Sequence, residues 1–476
     1  LFSLLRFCDV VFKSIIVVSE WVLIYCSTQC YSFIAGKCHF VRLFSSNQGC
    51  CQVRKSKLSS LADERPDLDF DYLLDDRNLE EIQKNIDTRK GIGNIQRVHQ
   101  LWNEIQNFKP DSDDQSQGMG IYQQLWNQFY SEALLIPNKS DPEVPVGDES
   151  KAKTVSEAPF TPNSKVEEYK TAEEIVKSWR SVLYPRRSAG GRSYSLVGES
   201  ALNDPVQYYF PGPVANLQSA LFSFVKDIVL QKGFIEVQVS DILPKVITQA
   251  CGLNVRDEEG THPIQYSLTD FPPMCLSGTA EMGIAQTLEG RTFNETELPL
   301  FLVAESRCFR PEISKSATEA KLYRVHEFNK LEMFAVCRPD QSSIALDEFV
   351  QIQRNIWDQL RVGYRILDMP SEELGASASR KFDLEAYMPG RKLFGEVSSA
   401  SNCTDYQSRR LGIRFKDSNG NLSFVHTCNG TALASTRALI TILETFQTKQ
   451  GFEPPRALQK YLPKERSKQK LKISPA

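Results

Sequence analysis

The sequence predicts an α+β fold, in which a domain of mixed helices and strands follows a short helical arm. β-rich stretches and amphipathic helices are mixed after residue 169 without the regular alternation of a βαβ fold. Two segments with helical periodicity, joined by a turn-rich loop, precede that domain. Neither G-x-x-x-x-G-K-S/T nor G-x-G-x-x-G occurs, which excludes P-loop and Rossmann nucleotide sites.

The composition is that of an ordinary globular protein. The chain has 476 residues, of which 41% are apolar and 24% are charged, so collagen-like and wholly disordered classes are excluded. The 56 Lys+Arg and 59 Asp+Glu give a formal net charge of −3. Because this balance provides no general positive field, any nucleic-acid contact must depend on a local basic patch.

Residues 1–50 are typical of an organelle-import presequence that is cleaved. The first 60 residues contain two acids, Asp9 and Glu20, against seven Lys/Arg. Their most apolar run, residues 14–25, is interrupted by Glu20 and is shorter than the roughly 20 residues of a spanning helix, so we expect no membrane span. The alternatives are a membrane anchor and a wrongly assigned start, since the chain opens at Leu1.

Residues 60–138 are predicted to form an antiparallel helical hairpin, which is the arm. Apolar residues recur at helical spacing between residues 79 and 108, with an interruption near Gly91-Ile92-Gly93. Residues 109–120 are predicted to be a loop, and a second helix is predicted over residues 121–136, ending before Pro137. Hairpins of this kind pack against, or reach towards, a partner.

The remaining chain divides into a linker, a large domain and a tail. Residues 139–168 are rich in Pro, Asp and Glu and are predicted to be a linker with little apolar material for a core. The large domain is predicted over residues 169–462, with helices at 213–230 and 433–446 and strands at 234–239, 300–304, 332–336 and 393–398. Residues 463–476 form a basic tail, predicted to be a solvated end.

Four segments of the large domain combine Arg, Glu and small residues in apolar surroundings. An arginine such as Arg310 offers a planar fork for phosphate or carboxylate, and a carboxylate such as Glu396 can hold a divalent cation. Each residue alone has an ordinary structural role, because an Arg-x-Glu is usually a surface ion pair and a lone Thr279 or His326 is usually structural. The four segments are residues 278–281, residues 308–312, residues 322–332, and residues 395–399 together with 429–437.

The order of these segments along the chain resembles class II aminoacyl-tRNA synthetases, and specifically the seryl-tRNA synthetases of the mitochondrial type. The resemblance covers roughly residues 66–462. Residues 138–147 resemble the family's link from arm to catalytic domain, and residues 394–407 are close to the family sequence throughout. Arg310-x-Glu312 with Arg324-Val325-His326-x-Phe328 resembles motif 2. Asn429-Gly430-Thr431 through Arg437 resembles motif 3. It implies a catalytic domain built on an antiparallel sheet flanked by helices.

The resemblance also implies roles for individual residues. Arg310 would hold the α-phosphate of ATP and the serine carboxylate, and Glu312 would contact the adenine. Phe328 would stack beneath the adenine while Arg437 covers its other face. Arg324 would bind the terminal phosphates.

Further positions follow from the same motifs. Glu396 and Ser399 would place Mg2+. The implied serine-binding residues are Thr279, Ala280, Glu281, Arg310, Glu332, Asn429 and Thr431. The implied ATP-binding residues are Arg310, Pro311, Glu312, Arg324, Val325, Phe328, Glu396, Val397, Ser398, Ser399 and Arg437.

The activity that the resemblance implies is that of a serine–tRNA ligase. Such an enzyme activates L-serine with ATP to seryl-adenylate and transfers serine to tRNA(Ser). The implied location is the mitochondrial matrix, and the implied assembly is a homodimer.

The sequence departs from the family pattern at three places, of which Ala320-Lys321 and the short arm favour another hypothesis and Ser240 weakens the argument for a dimer. Ala320-Lys321 stands where Arg-Gly is usual, Ser240 replaces a proline in motif 1, and only about 52 residues separate Ile86 from Asn138 in the arm. The short arm implies altered tRNA recognition or a missed exon. A catalytically silent paralogue that binds or regulates a true synthetase is the main alternative, and an enzyme that adenylates a small amino acid for another carrier is a third hypothesis.

Overall fold

The computed structural model describes residues 65–108, 115–176, 208, 210, 212–253, 264–311, 321–449 and 451–463. The predicted presequence, the predicted tail except Pro463, and the site residue Glu312 lie outside these ranges, as does Ala320. Within the described ranges, no helix is long and apolar enough to cross a membrane.

Strands dominate the large domain. They are β1 (Lys153–Ala158), β2 (Ile235–Glu236), β3 (Ile242–Pro244), β4 (Met274–Leu276), β5 (Thr292–Asn294), β6 (Leu300–Phe309), β7 (Glu327–Cys337), β8 (Tyr364–Asp368), β9 (Arg380–Met388), β10 (Leu393–Thr404), β11 (Arg414–Lys416), β12 (Leu422–Phe424), β13 (His426–Ala434), β14 (Gln447–Thr448) and β15 (Gly451–Phe452). Eight of them form one sheet in the order β1-β8-β9-β10-β13-β7-β6-β2. Its neighbours are antiparallel, except that the short β2 runs parallel to β6.

Helices form the arm and cover the sheet. They are α1 (Phe70–Leu73), α2 (Leu79–Thr88), α3 (Ile95–Asn107), α4 (Gln115–Ala133), α5 (Gly212–Gln231), α6 (Lys245–Ala250), α7 (Ala280–Leu288), α8 (Ser342–Leu360), α9 (Tyr406–Leu411) and α10 (Ser435–Thr445). The predicted helices at 213–230 and 433–446 therefore correspond to α5 and α10, and the predicted strands at 300–304, 332–336 and 393–398 belong to the longer β6, β7 and β10. The strand predicted at 234–239 is wrong in length, since only the two residues of β2 pair with β6.

The two faces of the main sheet pack against different helices. On β7, Leu331 and Met333 belong to a core that includes residues of α5, α8 and α10. Phe334 and Val336 belong to a second core that includes residues of α6 and α7. This division follows from the two-residue repeat of a strand, and burial on both faces explains the continuous apolar run of β7. The predicted class, an antiparallel sheet flanked by helices, is confirmed.

The predicted arm consists of α2, α3 and α4. The chain turns between α2 and α3 through Lys90, Gly91 and Gly93, all at positive φ, a conformation that glycine adopts easily. Helix α4 begins six residues before the predicted start at Ile121, because residues 115–120 lack the apolar repeat on which that prediction rested. The predicted apolar stripe packs as one core, formed by Ile82, Ile86, Ile95, Val98, Leu101, Ile105, Phe129, Ala133 and Ile136 together with Leu68 and Leu73.

A buried arginine joins the base of the arm to the large domain. Arg89 follows α2 and is 5% exposed. Its Nη1 donates to the carbonyl oxygens of Asn138 (2.6 Å) and Ala378 (2.9 Å), and its Nη2 donates to those of Gly375 and Leu374. Burial lowers the pKa of Arg89 to about 10. The guanidinium therefore satisfies several backbone acceptors that would otherwise be desolvated without a partner.

The segment predicted to be a linker also contributes to the sheet. Its residues 153–158 form the edge strand β1, which pairs antiparallel with β8 from Lys153–Asp368 to Ala158–Tyr364. All six side chains of β1 are exposed or half-buried, so the strand itself adds little to the core, whereas Val144 of the same segment packs with Leu374 and Ala378. Backbone hydrogen bonds, which the composition does not reveal, hold β1 in place.

We predict that Arg89→Met destabilises the fold by about 2–4 kcal/mol, because methionine keeps the volume but leaves buried carbonyl groups without donors. Urea unfolding followed by tryptophan fluorescence measures the change, since Trp102 and Trp126 are in contact within the arm. Arg97→Met is the matched control on α3, where the Arg97 guanidinium forms a 3.5 Å ion pair with Glu104 on a partly exposed surface. Equal unfolding free energies for the two variants would contradict the anchoring role of Arg89.

Candidate functional site

An open cleft of about 550 Å³ lies between strands β7, β10 and β13 and the start of α10. Ten residues that the sequence predicted for the site line it: Arg310, Arg324, Val325, Phe328, Glu396, Val397, Ser398, Ser399, Thr431 and Arg437. The structure adds four that the sequence reasoning missed: Tyr323, Lys330, Ala434 and Thr436. Residues from 310 to 437 thus converge because neighbouring strands of the sheet need not be neighbours in sequence.

Two β-bulges shape the floor of the cleft. β10 has an irregular register against β9 between Glu396 and Ser398, and β13 has one against β7 between Thr431 and Leu433. In a regular strand, residues three apart point to opposite faces, and one extra residue restores them to the same face. Glu396 and Ser399 therefore both line the cleft, as do Thr431 and Ala434.

Two arginines on the cleft wall lie over aromatic rings. The guanidinium of Arg310 is 5.3 Å from the centre of the Phe328 ring, and its Nε donates to the Gly278 carbonyl oxygen at 3.3 Å. The guanidinium of Arg437 is 4.5 Å from the centre of the Tyr323 ring. The resemblance implied that Phe328 and Arg437 would cover opposite faces of a base. Both residues line the cleft. In the structure, Arg310 lies over the Phe328 ring and Arg437 lies over the Tyr323 ring.

A glycine permits the position of Tyr323. A Cβ atom on Gly395 would lie 2.9 Å from the Tyr323 ring and 2.9 Å from the Met388 methyl group. Since real Cβ atoms do not approach other atoms so closely, any larger residue at 395 would displace the tyrosine. Tyr323 was missed because its role depends on this contact between distant segments.

Glu396 is the acidic group at the centre of this wall. Burial alone would raise its pKa, but the positive charges of Lys381, Arg437, Arg310 and Lys330 outweigh that effect and lower it. Nη1 of Arg437 donates to the carbonyl oxygen of Glu396 at 3.0 Å and to its Oε2 at 3.3 Å. Glu396 is therefore held ionised beside a cationic surface.

The side chains that could act as metal ligands show whether a divalent cation fits this cleft. Among the described residues, no three His, Cys, Asp or Glu side chains are grouped to hold a metal ion. Mg2+, however, commonly uses one or two carboxylates and takes its other ligands from phosphate oxygens and water. The ionised Glu396 and the hydroxyl of Ser399 fit a cation that arrives with a phosphate ligand.

A second, more deeply buried cluster adjoins the cleft. Glu332 is 2% exposed and accepts a hydrogen bond from the Thr431 hydroxyl at 3.2 Å. It also forms a 2.6 Å ion pair with Lys330. Because Lys330 and Thr431 line the cleft as well, the acidic cluster is continuous with the cationic wall. Phe328, Lys330 and Glu332 alternate along β7, so the two-residue repeat could have identified Lys330 from the sequence.

Glu281 is the other acid of this cluster. Its Oε1 accepts hydrogen bonds from Nε2 of Gln407 at 2.6 Å and from Nδ2 of Asn429 at 2.9 Å. Burial raises the pKa of Glu281 to about 7, and the negative charge of Glu332 contributes. Thr279 accepts from the Glu281 backbone N–H and caps α7, in which Ala280 is the first, buried residue.

The predicted residues thus fall into two adjoining groups and two exceptions. Thr279, Ala280, Glu281, Glu332 and Asn429 belong to or adjoin the buried acidic cluster, and the ten cleft-lining residues form the other group. Pro311 directly follows Arg310 and does not line the cleft. Glu312 lies outside the described residues.

The comparisons with known proteins agree with this architecture. The family model for the tRNA synthetase class II core domain (G, H, P, S and T) matches residues 271–446. The chain is 41% identical to the mitochondrial serine–tRNA ligase of Bos taurus over 358 residues, an alignment that covers 72% of this chain and 64% of the relative. It therefore spans less than two thirds of that relative's length.

The alignments with two further proteins cover a larger share of those proteins. The mitochondrial serine–tRNA ligase of Schizosaccharomyces pombe is 36% identical over 373 residues, with 77% of this chain and 74% of the relative covered. The crystal structure of seryl-tRNA synthetase from Pyrococcus horikoshii, complexed with ATP, shares the fold with a TM-score of 0.68 at 24% identity, covering 83% of this chain and 98% of that chain. On these matches, the chain belongs to the serine–tRNA ligase family of class II aminoacyl-tRNA synthetases.

Proposed function

We propose that the protein is an ATP-dependent serine–tRNA ligase that acts in the mitochondrial matrix on L-serine and tRNA(Ser). The observation that carries this proposal is the continuity of the site. A cationic and aromatic wall suited to a nucleoside triphosphate joins a buried acidic cluster suited to a small amino acid through Lys330 and Thr431. The family membership and the two mitochondrial relatives support the same assignment.

The proposed reaction has two steps. The serine carboxylate attacks the α-phosphorus of ATP, forming seryl-adenylate and releasing pyrophosphate. A terminal ribose hydroxyl of tRNA(Ser) then attacks the carbonyl carbon of the adenylate, forming the seryl ester and releasing AMP. Neither step uses a covalent enzyme intermediate, so the protein accelerates both by positioning and by charge stabilisation.

Different residues of the cleft would bind different parts of ATP and serine. Arg310 would hold the α-phosphate and the serine carboxylate together and neutralise the negative charge on the α-phosphate oxygens. Phe328 would carry the adenine, Arg437 would cover its other face, and Arg324 would bind the terminal phosphates. Mg2+ held by Glu396 and Ser399 would neutralise phosphate charge when bound.

The acidic cluster would select the amino acid. Glu281 and Glu332, with Thr279, Asn429 and Thr431, would surround the amino and hydroxyl groups of serine. Their positions support this role, because both acids already contact neutral or cationic donors in the structure. Alanine would leave buried polar groups without a partner, which disfavours it relative to serine.

We propose the following organisation for the whole chain: a cleaved presequence at 1–50, a tRNA-binding arm at 60–138, a catalytic domain at 169–462 and a basic tail at 463–476. The segment between arm and catalytic domain supplies the edge strand β1. We also propose a homodimer, as in class II synthetases generally, and a monomeric sedimentation mass for the active enzyme would refute it.

Serine-dependent ATP–pyrophosphate exchange, followed by charging of mitochondrial tRNA, tests the proposal. Pyrophosphate exchange together with tRNA charging would support the serine–tRNA ligase. Exchange without charging would indicate a defect in the parts of the protein that contact tRNA. Folded protein that catalyses no exchange would favour the silent paralogue that the short arm and Ala320-Lys321 suggest.

We predict that Arg310→Ala lowers exchange by at least about a thousandfold, since one well-placed charge partner of the transition state contributes on the order of 4 kcal/mol. Arg307→Ala is the matched control, because Arg307 lies three residues before Arg310, on β6, but forms an exposed 3.3 Å ion pair with Glu327. Exchange by the Arg310 variant at the rate of the control would show that the pocket is wrongly assigned.

The KM for serine should rise as pH falls through the pKa of Glu281, about 7. A protonated Glu281 must lose its proton before it can pair with the serine ammonium group, so KM should be about tenfold higher at pH 6 than at pH 8. Steady-state exchange with varied serine measures this dependence, and the KM for ATP serves as the internal control. Glu281→Gln should raise the KM for serine and flatten its pH profile; an unchanged profile would contradict the role of Glu281.

Shortening the arm should impair charging and spare adenylation. Replacing residues 106–123 (the outer arm) by a short Gly/Ser turn removes the end of α3 and the start of α4, including both rings of the 5.5 Å Phe108–Tyr122 contact. It retains the inner core around Leu101 and Phe129. We expect the KM for tRNA to rise on the order of tenfold, equivalent to one lost favourable contact, while exchange is unchanged. Parental charging kinetics would show that the outer arm does not bind tRNA.

A further inference from the structure

A hydrogen-bonded relay lies behind the acidic cluster. Gln407, in the first turn of α9, is fully buried, and its amide nitrogen donates to Oε1 of Glu281 at 2.6 Å. Its amide oxygen accepts a hydrogen bond from the Thr427 hydroxyl at 2.8 Å. Thr427, on β13, is also fully buried. Thr427, Gln407 and Glu281 thus form a directional chain whose first two members are sealed from solvent.

The direction of this chain is determined by its two ends. With Glu281 ionised, a reversed Gln407 amide would place its oxygen 2.6 Å from the carboxylate, where two acceptors would repel each other. The Thr427 hydroxyl donates a hydrogen bond to the amide oxygen of Gln407 from the other side, which favours the observed orientation of the amide. The chemistry of the neighbours therefore defines which Gln407 atom faces Glu281.

The two oxygens of Glu281 have different surroundings. Gln407 and Asn429 both donate to Oε1. No described residue donates a hydrogen bond to Oε2, which leaves that oxygen as the acceptor for a ligand. A carboxylate whose one oxygen is held by two amides cannot rotate without breaking both hydrogen bonds.

The helix that carries Gln407 is itself held in place. The guanidinium of Arg410 lies 3.4 Å from the centre of the Tyr406 ring. Arg409 pairs with Asp405 at 2.7 Å and with Asp69, before α1, at 3.2 Å. Gly412 ends α9 in the left-handed conformation. The Arg409–Asp69 ion pair therefore joins α9 to the segment before α1, and the other contacts stabilise the helix that carries Gln407.

We infer that Gln407, oriented by Thr427, is a positioning residue for serine selection: it fixes Oε1 of Glu281 so that Oε2 alone meets the amino acid. This inference rests on the proposed function, because the ligand is taken to be serine. Neither Gln407 nor Thr427 is expected to touch the substrate, and both act through Glu281.

Other groups also face Glu281 and must be kept unchanged in a test. Lys330 and Glu332 approach from β7 and Cys403 from β10, while Cys251 follows α6. A variant of Thr427 alters none of them, which makes it a cleaner probe than a variant of Glu281 itself.

The decisive comparison is Thr427→Val against Thr427→Ser in the full-length enzyme. Valine matches the shape of threonine without the hydroxyl, and serine restores the hydroxyl. We expect Thr427→Val to raise the KM for serine about fivefold, the effect of one lost buried hydrogen bond, with kcat and the KM for ATP within twofold of the parent. The midpoint of the pH profile of this KM should move upward, and Thr427→Ser should restore both values.

Two results for Thr427→Val would overturn the inference. One is a serine KM and pH midpoint equal to those of the parent, and the other is a fall in kcat with both KM values altered and no shift in midpoint. Gln407→Leu should reproduce the Thr427→Val effects more strongly, and Thr427→Val alone suffices should the leucine variant fail to fold.

Direct binding of serine, measured by calorimetry, distinguishes failure of the inference from failure of the proposed function. A parent that binds serine but catalyses no exchange would refute the ligase, while weaker binding by Thr427→Val that Thr427→Ser restores would still support the relay. Equal binding by the parent and Thr427→Val would overturn the relay alone. A parent that neither binds serine nor catalyses exchange would overturn both.

Discussion

The candidate site depends on the two β-bulges in adjacent strands of the main sheet. Each adds one residue to its strand, which turns Ser399 to the same side as Glu396 and Ala434 to the same side as Thr431. Without the extra residues, the period of two would send one member of each pair into the core beneath. The shared orientation of each of these pairs toward the cleft rests on this local irregularity, and a sheet buried on both faces holds it in place.

The pKa values of the two main carboxyl groups of the site shift in opposite directions. Four positive groups lower the pKa of Glu396, while burial and a neighbouring acid raise that of Glu281 to about 7. One carboxylate is therefore kept ionised near the position proposed for phosphates, and the other remains able to exchange its proton near the position proposed for an amino group. Lys330 is shared between the two environments, since it lines the cleft and pairs with Glu332.

The arm joins the large domain close to this site. Asn138, which accepts a hydrogen bond from Arg89, donates through its side chain to the carbonyl oxygen of Cys403 at 2.9 Å. The thiol of Cys403 in turn contacts the side-chain amide of Asn429, a partner of Glu281. Asp69 contacts α9, which carries Gln407. The base of the arm and the acidic cluster are thus linked through contiguous hydrogen bonds, within one structural unit that extends from Pro66 onward.

The sequence by itself determined the fold class and the helical arm with its apolar stripe, because periodicity is a local property, and the resemblance of its motifs to a known family implied most of the residues that meet in the cleft. Only the tertiary structure decided the start of α4, the pairing of β1, and the contacts of Tyr323, Gln407 and Thr427. Tyr323 depends on the absence of a side chain at Gly395, and Gln407 depends on a partner 126 residues away. Such contacts join segments that are distant in sequence, and no local pattern of residues records them.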